Sequence, residues 1–170
     1  MGWRSDMLGR WVRAAAPAAL GALGVLLLAL PIRLGEGLAP TPLLPLIVVY
    51  FWAIYGPHYL PAPAVFLIGV AQDFLIGGPL GLWPLTYLIV QYLVINQRSY
   101  FLGREQQVVW MGFSVIAVGV GLLLWAVHSA VAGAAAPRGP LAVQILATIA
   151  TYPLFARAFA QVHRRVIIET

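Results

Sequence analysis

The sequence predicts an all-α integral membrane protein, one domain built from six transmembrane helices. Three observations carry this. Hydrophobic residues make up 62% of the chain and charged residues only 9%, where a soluble domain has about 25% charged residues. That leaves too little polar surface to keep a globule in water. The apolar runs follow one another closely, with connecting stretches of about a dozen residues at most, so a second soluble domain has no room. The arginines are also unevenly placed. With six spans, Arg4, Arg10, Arg13, Arg98, Arg104, Arg157, Arg164 and Arg165 fall on one side, and Arg33 and Arg138 on the other. Arginine-rich short loops stay in the cytoplasm, which puts both termini there. An odd number of spans would part the two basic termini and spoil the bias.

A helix crosses a bilayer with about 20 apolar residues, within a range of roughly 17–25. The first span is expected over 14–32. Its Ala18, Gly21, Ala22 and Gly24 permit close helix contact. A basic segment precedes it, as in a signal peptide. No small-residue cleavage site follows its leucine-rich core, so it reads as uncleaved. The second span, 42–55, ends in Tyr50, Phe51, Trp52 and Tyr55. That cluster suits the membrane–water interface. Gly56-Pro57-His58 breaks the run. The third span, 62–76, is short and suits little tilt or locally thinned lipid. The fourth, 82–95, opens with Trp83 and Pro84, an interfacial ring and a helix-starting proline. The polar loop 96–107 follows, with Arg98, Arg104 and Glu105. The fifth span, 108–131, is the clearest, with Trp110 and Trp125 near its ends. The sixth covers 141–159, and Arg157 is close enough to its end to reach water.

Several chemistries find no support in the residues. Cysteine is absent, which removes disulfides, thiolate nucleophiles and cysteine metal sites. His58, His128 and His163 lie in separate segments without metal-ligand spacing. No serine sits in a nucleophile motif. Gly77-Gly78-Pro79-Leu80-Gly81 lacks the lysine and hydroxyl residue of a phosphate loop and reads as a turn. The net charge of +5 could suggest nucleic acid in a soluble protein. Here the charges flank apolar runs, where they set orientation and meet anionic headgroups, so the partner is the lipid bilayer. No catalytic residue, cofactor or metal is expected.

The third and fourth spans hold the one residue that demands an explanation. Asp73 is the only acid inside a long apolar run. A charged side chain at the centre of a membrane helix costs about 2.5–3.5 kcal/mol on insertion scales. Gly69, Asp73 and Gly77 are four apart and share a helix face. Two glycines let another backbone approach and enclose the carboxyl group. Gln72 lies beside it, and the tight turn brings Tyr87 and Gln91 of the next span alongside. Two readings are open. Asp73 is an inter-helix latch or ligand-facing acid, or it is a helix-end acid hydrogen-bonded to backbone or to Tyr87. The candidate interaction residues are Gly69, Asp73, Gly77, Gly78, Pro79, Gly81, Tyr87 and Gln91. The rest of the chain reads as a wall around this hairpin.

The same stretch carries a resemblance. Phe66-Leu67-Ile68-Gly69, followed by Asp73-Phe74-Leu75-Ile76-Gly77-Gly78-Pro79-Leu80-Gly81-Leu82, resembles the MreD family of bacterial rod shape-determining proteins. Tyr87 and Tyr92 continue the likeness, and the layout and length agree over nearly the whole chain. The resemblance implies a non-enzymatic inner-membrane scaffold of the cell-elongation complex. It implies association with MreC, a bitopic membrane protein. Through MreC it implies a link to the MreB filament, to RodA and to a class B penicillin-binding transpeptidase. It also implies a fold similar to the six-helix substrate-binding subunits of energy-coupling-factor transporters.

That likeness supplies an alternative, a substrate-binding subunit for a vitamin-type small molecule. It requires polar groups converging on an enclosed cavity, and Asp73, Gln72, Gln91, Tyr87 and Asn96 are the available ones. Proton translocation through Asp73 is weaker, because no relay of further acids or histidines lies at membrane depth.

Overall fold

The computed structural model describes residues 33–34, 37–38, 41–77, 79–133 and 138–163. The span expected over 14–32 lies outside the described residues. A two-residue antiparallel pair comes first, β1 (Arg33–Leu34) with β2 (Gly37–Leu38), in the register Arg33 to Leu38 and Leu34 to Gly37. Everything after it is helical: α1 (Leu44–Tyr55), α2 (Ala62–Ile76), α3 (Leu82–Asn96), α4 (Arg98–Phe101), α5 (Gln106–Ala132) and α6 (Arg138–His163). Only α4 was not anticipated, a single helical turn within the polar loop.

Helix α1 is the core. Each residue from Pro45 to Ile54 is buried, so it meets protein on every side. A helix that is apolar all round is stable in a protein core or in lipid, and here protein covers it. With 12 residues it is only about 18 Å long, short of the hydrocarbon thickness of about 30 Å. Two helical hairpins flank it. Helices α2 and α3 pack against each other, as do α5 and α6, and α1 touches α3 on one side and α6 on the other. The expectation that the 61–96 hairpin forms the centre is therefore corrected. Among the described residues that hairpin is one of two walls, and α1 packs against both.

The aromatic residues of α1 change role with it. Tyr50, Phe51 and Trp52 are buried core residues rather than an interfacial belt. Tyr50 meets Phe101, Phe113 and Tyr152 edge-on at centroid distances of 6.2, 5.2 and 5.7 Å. Phe113 and Tyr152 stack at 4.3 Å, and Phe51 meets Phe159 at 5.5 Å. One helix thereby pins α4, α5 and α6 through ring contacts, which add to the burial of apolar area.

Both ends of α1 are hydrogen-bonded to other helices. Leu43, the residue before it, has no side-chain cap of its own. Its N–H donates to Thr148 Oγ1 of α6 at 2.9 Å. Gln144, one turn earlier on α6, donates from Nε2 to Thr41 O at 3.0 Å. At the other end Arg98 Nε donates to Ile54 O at 2.6 Å, a cation at the negative end of the helix dipole. In the middle, the Tyr50 hydroxyl donates to Val109 O at 2.9 Å. A buried helix needs such partners, because its unpaired terminal groups have no water to turn to.

The outer faces are oily. Phe74, Leu80 and Val115 are 73–74% exposed, and Leu67, Leu85, Tyr92, Met111, Leu122, Leu146 and Leu154 are exposed as well. Apolar surface on this scale calls for lipid or another apolar surface to cover it. Among the described residues two helical segments, Gln106–Ala132 and Gly139–Ala160, are long and apolar enough to cross a membrane.

Candidate functional site at the α2–α3 turn

Helix α2 turns its Val65, Ile68, Gly69, Gln72 and Asp73 inward, the spacing of one helix face. Helix α3 turns in Trp83, Pro84, Thr86, Tyr87, Val90, Gln91 and Val94. The seam between them closes most tightly at Gly69. A Cβ there would collide with N and Cα of Pro84 and lie 2.8 Å from C of Trp83. Only hydrogen fits, and the two backbones cross at that point. This also explains why Pro84 and Trp83 are buried. Trp83 packs against Tyr87, with ring centroids 5.4 Å apart, instead of facing the lipid interface. Proline suits the position because the first turn of a helix needs no N–H from it.

One turn past Gly69 on the same face, Asp73 is 3% exposed. Its Oδ2 accepts from the N–H of Gly81 at 2.6 Å, and its Oδ1 accepts from the N–H of Trp83 at 3.2 Å. Gly81 is the N-cap of α3 and has no side chain to cap with. The carboxylate of Asp73 takes over that task from the neighbouring helix. Bonds from backbone N–H groups and the positive end of the α3 dipole both favour a negative charge there. The turn is shaped for this. Gly77 and Gly81 have φ of 77° and 93°, the left-handed region that glycine tolerates. The Gly77 N–H returns to Asp73 O at 3.1 Å. So Asp73 is a helix-end acid bonded to backbone, and by the same bonds it ties α2 to α3.

The sequence offered Tyr87 as the alternative to backbone as a partner for Asp73. The structure pairs Tyr87 with Gln72 instead, its hydroxyl donating to Oε1 at 2.5 Å. Gln72 is completely buried, and among the described residues its Nε2 has no hydrogen-bond partner. Gln91, one turn beyond Tyr87, donates from Nε2 to Leu60 O at 2.7 Å, which fixes the loop between α1 and α2. Gly69, Asp73, Tyr87 and Gln91 therefore share one seam, and Gly77, Pro79 and Gly81 form its turn. Gly78 lies outside the described residues. Of the five polar residues a ligand cavity would need, Asp73, Gln72, Tyr87 and Gln91 bind within the hairpin or its flanking loop, and Asn96 is exposed.

Sequence reasoning missed Thr148, Gln144 and the Arg98 contact with Ile54. A signal existed for the first two. They are isolated polar residues four apart in an apolar run, the pattern that singled out Tyr87 and Gln91.

Residues 9–161 match the family described as rod shape-determining protein MreD. The chain belongs to the MreD family. This is a structural, shape-determining family of membrane proteins, and the exposed apolar faces of α2, α3, α5 and α6 fit that setting. The match takes in the whole α2–α3 hairpin, so the MreD resemblance of that stretch extends over nearly the entire chain. No curated protein and no solved structure matches it.

Proposed function

We propose that this MreD-family chain is a non-enzymatic scaffold of the cell-elongation complex, crossing the bacterial inner membrane six times with both termini in the cytoplasm. It binds a MreC-like bitopic membrane protein and through it connects peptidoglycan synthesis by RodA and a class B penicillin-binding transpeptidase to the MreB filament. A helical arrangement similar to the substrate-binding subunits of energy-coupling-factor transporters belongs to the same proposal. The observation that carries it is the family match over residues 9–161. Physical chemistry supports it from a second direction. The buried carboxylate and most of the buried amide and hydroxyl groups of the α2–α3 seam are engaged in holding helices together. What the molecule offers outward is apolar helix surface, which suits lateral association in lipid.

The test is co-purification from detergent with a MreC-like partner, together with cell shape after depletion. Retention of the partner and rounding of rod-shaped cells are expected. A chain that leaves its partner behind, in cells that stay rod-shaped without it, would end the scaffold reading.

A further inference from the structure

Three arginines lie toward one end of the bundle. Arg98 sits beside the C-terminal end of α1, Arg104 just before α5, and Arg157 near the C-terminal end of α6. The contact of Phe159 with Phe51 brings that part of α6 to the same end of α1 that Arg98 meets. Two of the three are held in place. Arg98 is anchored through Nε to Ile54 O, which leaves its two terminal nitrogens to donate outward. Arg104 lies over the ring of Tyr100, 5.1 Å from its centroid, a cation–π contact. Among the described residues no carboxylate pairs with any of the three.

The surroundings decide what such a group would meet. Exposed Leu102 lies between Arg98 and Arg104 in the chain, exposed Leu154 lies about one turn from Arg157, and exposed Trp110 and Met111 lie in the second turn of α5. Each charge thus borders apolar surface. An acidic peptide would use the charges alone. A phospholipid uses both, its phosphodiester against the guanidinium donors and its acyl chains along the oily helices.

We propose that Arg104 and Arg157, with Arg98 beside them, form a binding site for the headgroup of an anionic phospholipid. The site stands whether or not the scaffold reading holds. It is tested by native mass spectrometry of the full chain released from micelles holding equal amounts of dioleoylphosphatidylglycerol and dioleoylphosphatidylcholine. Retained lipid should be mostly phosphatidylglycerol. The double variant R104Q/R157Q should lose about five-fold of that preference per arginine removed. R138Q, which removes the same charge from the start of α6, should keep it. Equal retention of the two lipids by the wild-type chain would overturn the proposal. So would an unchanged preference in the double variant, or an equal loss in R138Q. A glutamate-rich peptide bound more tightly than phosphatidylglycerol would overturn it in favour of a protein partner. If the double variant does not fold, salt decides on the wild-type chain. Near 1 M the screening length falls to about 3 Å, so the preference should collapse, and one that survives rules the site out.

Discussion

The two hairpins that flank α1 solve the same problem by different means. Helices α5 and α6 are 27 and 26 residues long. They pair mostly along side chains. At their close approach, a Cβ on Gly121 would meet the side chain of Ile145, 2.8 Å from Cγ1. A direct polar contact between them is Trp110 Nε1 to Ile149 O at 2.9 Å. Helices α2 and α3 have 15 residues each, about 22 Å of helix. They pair through backbone, with Gly69 against Pro84 and Asp73 against the first N–H groups of α3. The long hairpin meets through adaptable side chains. The short one brings its two backbones together at Gly69 and adds rigid, directional contacts. The acid belongs to that close, backbone-paired seam.

The largest expected effect follows from the acid. Asp73→Ala strips the acceptors from two N–H groups at the start of α3, and an orphaned buried donor costs about 1–3 kcal/mol. With one donor buried and the other partly so, a total loss of about 3 kcal/mol is expected in SDS-titration unfolding of the purified chain. Asp73→Asn keeps one acceptor and gives up the charge, so it should lose about half as much. Equal losses for the two would show that the charge, and not the acceptor, does the capping.

Next in size is the glycine pair, which puts the hairpins side by side. Gly69→Ala drives a methyl group into the Pro84 backbone, which cannot rotate away. Overpacking of this kind costs about 1–3 kcal/mol, and the upper half of that range is expected. Gly121→Ala presses on a side chain that can change rotamer, so about 1 kcal/mol or less should be lost. Equal losses in the same unfolding assay would refute the contrast between backbone and side-chain pairing. A smaller effect tests the long hairpin alone. Trp110→Phe removes a direct polar contact at an exposed site where the carbonyl stays in its helix, and about 0.5 kcal/mol should be lost.

Much of the short hairpin was legible in the sequence, because its devices are local. The expected helix 62–76 agrees residue for residue with α2, and the glycine-proline turn, the Gly69–Asp73 face and the Tyr87–Gln91 face all lie within 30 residues of one another. An acid in an apolar run also announces itself. The burial of α1 was not legible. Its Tyr50-Phe51-Trp52 cluster has the composition of an interfacial belt and of a buried core alike. What separates them is whether Phe113, Tyr152 and Phe159, 60 to 110 residues away in the chain, close over the rings. Periodicity within one run carries no record of that. The same holds for Thr148 capping the start of α1 from a distance of 105 residues. The partner of Tyr87 was missed for a smaller reason. Asp73 and Gln72 are adjacent but point about 100° apart on the helix, and less than a third of a turn of rotation decides which of them the hydroxyl meets.

Replacing both members of that pair gives the smallest expected effect and the one that bears most directly on what the short hairpin needs. Among the described residues Gln72 makes one hydrogen bond with Tyr87 and leaves its Nε2 unpaired in a fully buried place. Asp73 is different, since both of its oxygens are bonded. If directional contacts hold this hairpin together, only satisfied ones should count. Tyr87→Phe alone orphans the Gln72 carbonyl oxygen and should cost about 1–2 kcal/mol. Gln72→Leu alone leaves a buried hydroxyl without an acceptor, but it also removes the unpaired amide, so the loss should be smaller. Gln72→Leu with Tyr87→Phe removes every unpaired group, and replacing both partners by apolar groups of similar shape can be nearly neutral. The double variant should therefore be within about 0.5 kcal/mol of the parent chain, or above it. A double variant weaker than either single one would mean that Gln72 Nε2 has a partner worth keeping, and that the seam holds something besides its own two helices.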